Sequence, residues 1–126
     1  MAQQGANLSQ RFPRNSRLLK HADFQAVYRQ GKKRISGNVI AFYLERADGA
    51  GPRIGFTVGK VLGGAVERNR IRRRMRAAVR HRLAEFSRSL DVVLHPRKSV
   101  LDLEFAALEK EIGGLFAALE KASGRT

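Results

Sequence analysis

The sequence predicts an α+β sandwich, a single domain whose helices cover a four-stranded sheet in the order α-β-β-β-α-β-α. Two long segments repeat apolar residues three and four apart, the spacing of a helix that buries one side. Four short runs rich in β-branched and aromatic residues accompany them, three before the first long helix and one between the two. At 126 residues the chain holds one core and not two.

Residues 1–16, MAQQGANLSQRFPRNS, mix Gly, Gln, Ser, Asn and Pro with two arginines and one aromatic, and read as a flexible basic N-terminal arm. The folded domain is expected over residues 17–122, with residues 123–126 frayed. In RLLKHADFQAVYRQG, Phe24, Val27 and Tyr28 share one face of a short helix that Gly31 ends, and Leu18 and Leu19 dock the chain before it. Spacing alone favours plain core packing for Phe24 and Tyr28.

KKRIS leads through Gly37 into NVIAFYLER, where Val39, Ala41 and Tyr43 alternate with Ile40, Phe42 and Leu44. Both faces are largely apolar, which places this strand inside the sheet. ADGAGP is a loop, with Pro52 just outside the next strand. RIGFTVGK sets Ile54, Phe56 and Val58 against Gly55, Thr57 and Gly59; the bare side fits either tight packing or the close approach of a ligand backbone. LDVVLH is a short buried strand, and the long helix before it makes a parallel strand-helix-strand crossover the natural arrangement. PRKS is a turn. Leu101 to Ala122 is a second amphipathic helix, with Leu101, Phe105, Leu108, Ile112, Leu115 and Leu119 inward and Gly113-Gly114 weakening its middle.

Charge sets the class of partner. Lys and Arg number 25 against 11 Asp and Glu, a formal +14, and the excess is uneven: residues 1–98 hold 22 basic and 6 acidic residues, residues 99–126 hold 3 and 5. The first part is an electrostatic footprint for nucleic acid. It peaks in KVLGGAVERNRIRRRMRAAVRHR, Lys60 to Arg82, with eight arginines and no acid between Arg68 and Arg82. At about 100° per residue, Ile71, Met75, Ala78, Val79, Leu83 and Phe86 fall within roughly 140° of arc. Asn69, Arg72, Arg73, Arg76 and Arg80 lie opposite, Arg70 and Arg74 extend that arc, and Arg68 and Arg82 plot onto the apolar side. Gly63-Gly64 permits a close turn into the helix, where backbone amides would add an anion site. A solvated basic helix needs acids three or four residues away, and only Glu67 and Glu85 offer themselves. A membrane-surface helix would give to lipid the arc that the core needs. Polyanion binding is the reading that remains.

Other chemistry is sparse. With no cysteine there is no disulfide framework and no thiolate zinc site, and His21, His81 and His95 make no ligand spacing. No apolar run reaches ~18 residues and the N-terminus lacks a charged-then-apolar signal, so the cytoplasm is the default location and no membrane partner is expected. Asp23, Glu45, Asp48, Glu67, Glu85 and Asp91 form no D-x-D motif, and Gly63-Gly64 matches no Walker loop, which argues against a self-sufficient protein active site.

VGKVLGGAVERNRIRRRMR resembles the signature of the protein subunit of bacterial ribonuclease P, whose core is Arg-Asn-Arg followed by a basic helix. Here that core is Arg68-Asn69-Arg70, preceded by Gly64-Ala65-Val66 and followed by Arg72, Arg73 and Arg76. Arg17-Leu18, Asp23-Phe24, Tyr28 and Gly31 are similar to the family's N-terminal helix pattern, Arg53-Ile54-Gly55 to its third strand and Asp91-Val92-Val93 to its last. The resemblance covers residues 17–97. Two departures stand out: Val61 replaces a second lysine, and His95-Pro96-Arg97 stands where the family commonly has a small residue before the arginine.

The resemblance implies a left-handed crossover around the arginine helix, against the general right-handed rule. It also implies a ribonucleoprotein in which a catalytic RNA subunit, with bound Mg2+, hydrolyses the phosphodiester that joins the 5′ leader to precursor tRNA. The protein assists, contributes no catalytic residue and has no assigned metal ligand, and DNA is not an expected partner. Lys60, Arg68, Asn69, Arg70, Arg72, Arg73 and Arg76 match the surface that docks on the RNA subunit. Phe24, Tyr28 and Phe42 match aromatics of a cleft that grips the single-stranded leader, with Thr57 on the same cleft. The alternative is a general basic RNA-binding or ribosomal protein with no role in cleavage.

Overall fold

A computed structural model describes residues 14–122; the expected arm up to residue 13 and the expected frayed end at 123–126 lie outside the described residues. Helix α1 (His21–Gln30) is followed by strands β1 (Lys32–Ile35), β2 (Val39–Glu45) and β3 (Arg53–Phe56), helix α2 (Ala65–Arg82), strand β4 (Leu90–Pro96) and helix α3 (Phe105–Ala122). That is the α+β order the sequence predicts. The sheet runs β1-β2-β4-β3. β2 is antiparallel to both β1 and β4, and β3 is parallel to β4, the pair joined through α2.

Alternation along β2 divides the molecule into two unequal layers. Val39 and Ala41 are fully buried on one face with Ile54, Leu90, Val92 and Leu94, under α2 and α3. α2 contributes Ile71, Met75, Ala78 and Val79, and α3 contributes Leu108, Ile112, Leu115, Phe116 and Leu119. Phe86, just past the end of α2, stacks on Phe116 with ring centroids 4.8 Å apart. On the other face α1 covers only part of the sheet. Leu18, Val27 and Val93 are buried there, with Phe24, Phe42 and Leu44 packed against them.

One buried carboxylate ties α1 to the sheet. Asp91, 4% exposed, accepts hydrogen bonds from Arg46 Nη1 (3.0 Å) and from Arg53 Nε and Nη2 (2.8 and 2.7 Å). Arg53 also reaches Asp23 of α1 at 3.4 Å. A buried charge needs such partners, because its desolvation is otherwise uncompensated.

Both sheet edges have their own treatment. Arg17 bridges Ile54 in parallel and Leu18 N–H donates to the Ile54 carbonyl at 2.9 Å, so the residues before α1 line the outer side of β3. β1, Lys-Lys-Arg-Ile, is exposed along its whole length.

Several local expectations change. Arg14–Ser16, placed by the sequence in the arm, form a 3-10 turn. α3 starts at Phe105 rather than Leu101: Lys98–Leu101 is a separate 3-10 turn, with Val100 buried and Leu101 and Leu103 packed on the core. Gly113-Gly114 does not interrupt α3. Instead Gly113 makes room for Arg82, since an added Cβ would lie 3.1 Å from that guanidinium.

At Gly55 the choice left open by the bare side of the β3 segment falls to tight packing, whereas a Cβ added at Gly59 would meet nothing within 4 Å. A Cβ at Gly55 would stand 2.5 Å from the Phe24 ring and 3.1 Å from Leu18 Cβ. Gly55→Ala is expected to displace the Phe24 ring and cost about 1–3 kcal/mol in denaturant unfolding, as overpacking does. A neutral result would mean that the ring has slack to move.

Candidate nucleic-acid interface

Helix α2 is launched by two glycines. Gly63 takes φ 132°, a conformation that favours glycine, and Gly64 is the N-cap, its N–H donating to Glu67 Oε1 at 3.0 Å. Before them Lys60–Leu62 forms a 3-10 turn in which Lys60 is exposed and Val61 is 93% exposed.

The helix buries Ile71, Met75, Ala78 and Val79, and so presents its cationic side outward. Asn69, Arg70, Arg73 and Arg76 are exposed; Arg68 and Arg72 are half-buried. Arg72 Nη1 donates to Asn69 Oδ1 at 3.0 Å, and Arg68 Nε donates to the Gly63 carbonyl at 3.2 Å. Among the described residues only Arg82 of the eight arginines enters an ion pair, with Glu85 at 3.2 Å and Glu109 at 3.8 Å. Arg74 leaves the free wall on which the helical wheel placed it. It is half-buried, and its guanidinium donates to the Leu103 carbonyl of the loop before α3. Like charges three and four residues apart destabilise a helix by about 0.2–0.5 kcal/mol per pair. Packing on the core holds α2 in spite of that repulsion, and a polyanion would relieve it.

The second surface lies on the open half of the other sheet face. Tyr28, 37% exposed, stands edge-on to Phe42 (centroids 5.4 Å, 84°) and to His95 (5.5 Å, 88°). Its hydroxyl is 2.8 Å from both Thr57 Oγ1 and His95 Nε2. Burial lowers the His95 pKa from its ordinary value and so favours the neutral imidazole. The single phenolic proton then serves one of the two neighbours while the other donates to the phenol oxygen. Phe42 and His95 pack at 4.8 Å, and Lys33 Nζ lies 5.8 Å from the Phe42 centroid. The result is a half-buried aromatic floor, open at Tyr28 and edged by a cation, of a kind that can stack an unpaired base and hold its phosphate.

Phe24, one turn earlier on α1, sits differently. It is half-buried over Gly55 and Leu18, within the smaller core. It also borders a groove of about 230 Å³ whose opposite side carries Arg72 and Arg76. That groove connects α1 with the arginine surface.

The sequence profile of the Ribonuclease P family matches residues 12–120. The chain is 40% identical over 109 residues to the "Ribonuclease P protein component" of Acidothermus cellulolyticus, covering 85% of this chain and 90% of that protein. The chain belongs to the ribonuclease P protein family. The corresponding protein of Finegoldia magna is 38% identical over 110 residues, covering 86% of this chain and 92% of that one. The ribonuclease P protein of Thermotoga maritima shares the fold, with a TM-score of 0.73 at 21% identity over 86% of this chain and 98% of that one.

Within this ribonuclease P fold the predicted residues separate into two groups. Lys60, Asn69, Arg70, Arg72, Arg73 and Arg76, with Arg68 at their margin, belong to the α2 side. Tyr28, Phe42 and Thr57 come together on the opposite sheet face, and Phe24 lies between the groups. Lys33 and His95 were not assigned from sequence. The register that sets Lys33 opposite Phe42, and His95 opposite Ile40, is what brings them to the cleft. Alternation in LDVVLH, with His95 two residues after Val93, was the one available signal.

Proposed function

We propose that this chain is the protein subunit of a ribonuclease P ribonucleoprotein that removes 5′ leaders from precursor tRNA. The α2 surface docks on the catalytic RNA subunit, and the Tyr28 cleft holds the single-stranded leader. One observation carries this reading: Arg70, Arg73 and Arg76 stand exposed on a helix whose other side is core, with no carboxylate partner among the described residues. Family membership supports it.

Bond breaking is assigned to the RNA subunit and its Mg2+. Among the described residues, no group of three or more His, Cys, Asp or Glu side chains could hold an ion. Among them, too, no helix is long and apolar enough to cross a membrane. The cytoplasm, where precursor tRNA is made, is the proposed location.

The test is reconstitution. Purified RNA subunit is assayed for leader removal at low Mg2+, with and without the chain, and the chain is expected to stimulate cleavage. Absence of stimulation, with RNA binding retained, would favour a general basic RNA-binding protein. Cleavage by the chain alone would point to a protein active site.

The leader cleft makes its own prediction. Tyr28→Ala is expected to weaken leader binding by about 1–3 kcal/mol, the range for one base stacked on an aromatic. Tyr28→Phe keeps the ring and should retain most of the affinity. If Tyr28→Ala unfolds the chain without a specific effect on leader-bearing RNA, the residue is a packing residue.

A further inference from the structure

The groove beside Phe24 continues into a second pocket. Arg14–Ser16 turn the chain, with Arg17 N–H donating to the Arg14 carbonyl at 3.1 Å. The bridge from Arg17 to Ile54 and the burial of Leu18 then fix this segment against β3. Lys20 caps α1, its carbonyl accepting from Asp23 N–H at 3.0 Å and Phe24 N–H at 3.2 Å. A pocket of about 210 Å³ results, walled by Arg14, Arg17, Lys20, Arg53 and Asp23.

Four cations face one carboxylate across that pocket. Asp23 is engaged by Arg53, which also bonds Asp91, so even with Asp91 counted two positive charges remain in excess. Arg14, Arg17 and Lys20 are all exposed. The pocket shares Arg17 and Leu19 with the groove that carries Arg72 and Arg76, so the two are contiguous and cations stand at both ends of a largely apolar groove around the start of α1.

We propose that this pocket is a further phosphodiester site for the RNA subunit, extending the docking surface beyond α2 to Arg14 and Lys20. The inference rests on the docking reading above. It assigns the pocket to the RNA subunit and not to the leader, because the pocket is continuous with the arginine groove and lies at the first turn of α1. The Tyr28 cluster is near that helix's last turn.

Full-length chain carrying Arg14→Ala and Lys20→Ala is titrated with purified RNA subunit over a salt series, beside unsubstituted chain and a chain carrying Arg70→Ala and Arg73→Ala. The slope of log affinity against log salt is expected to become shallower by about 1 to 2 in the Arg14/Lys20 variant. Both side chains are exposed, so its unfolding midpoint should be unchanged; the paired Gln substitutions serve as a second variant should the alanines disturb the turn. An unchanged slope there, with a reduced slope in the Arg70/Arg73 variant, overturns the inference and leaves the docking reading standing. Unchanged slopes in both overturn the two together. An effect confined to precursor RNA, growing with leader length and absent from the RNA subunit, overturns the assignment to the subunit.

Discussion

Raising salt from about 50 to about 200 mM is expected to weaken binding of the chain to the RNA subunit by about 10³-fold. Each phosphate neutralised contributes about −0.9 to the slope of log affinity against log salt. The proposed docking surface offers about six cations: Lys60, Arg70, Arg73 and Arg76 exposed, with Arg68 and Arg72 half-buried. The last two spend a single N–H each on Gly63 and Asn69, so their remaining guanidinium donors stay available. Six contacts give a slope near −5, and a fourfold change in salt then gives the stated loss. Replacing Arg70 and Arg73 together by Ala should make the slope shallower by about two and leave the fold intact, since both side chains point away from the core. Isothermal titration or filter binding over the salt series checks both. A flat response would remove docking by charge as an explanation.

Asp91→Ala is expected to destabilise the fold by about 3 kcal/mol. Removing one member of a buried ion pair costs about 3–5 kcal/mol, because the surviving charges are left desolvated and unpaired. The lower end applies because neither arginine is left alone: Arg53, 30% exposed at its side chain, regains water and keeps Asp23 at 3.4 Å, and Arg46, at 12%, keeps the Asp48 carboxylate at 2.9 Å. For a chain of this size that corresponds to roughly 10 °C or more in Tm. Calorimetry or denaturant unfolding reads it. A loss below about 1 kcal/mol would show that the arginines re-solvate freely. This contribution should respond weakly to salt, as buried pairs do, so one salt series separates the cation network that builds the protein from the one offered to RNA.

Why the second effect escaped the sequence while the first did not is a matter of range. α2 declares itself because its burial and its charge lie on one continuous segment, where a fixed angle per residue sorts Ile71 and Met75 from Arg73 and Arg76. The cluster of Asp23, Arg46, Arg53 and Asp91 is drawn from α1, the loop after β2, β3 and β4, and exists only once the strand register is set. The same holds for Lys33 and His95 beside Phe42. Arg74 was misplaced because the wheel describes the helix alone, and the loop before α3 returns to lie against it. The start of α3 was set too early because Leu101 points inward from a 3-10 turn as it would from a helix. Gly55 was ambiguous for a simpler reason: a missing side chain does not say what fills its place.

The free rims of the sheet bear on behaviour in the absence of RNA. An unpaired strand invites a second chain to add to it, and proteins discourage this with charge or by covering the rim. Here Lys32, Lys33 and Arg34 stand in succession along β1, and Arg17 and Leu18 run beside β3. Stacking of copies through either rim would bring three cations against three cations or require the segment before α1 to peel away. The charge along one rim and the covered backbone along the other thereby protect the chain from fibrous self-association.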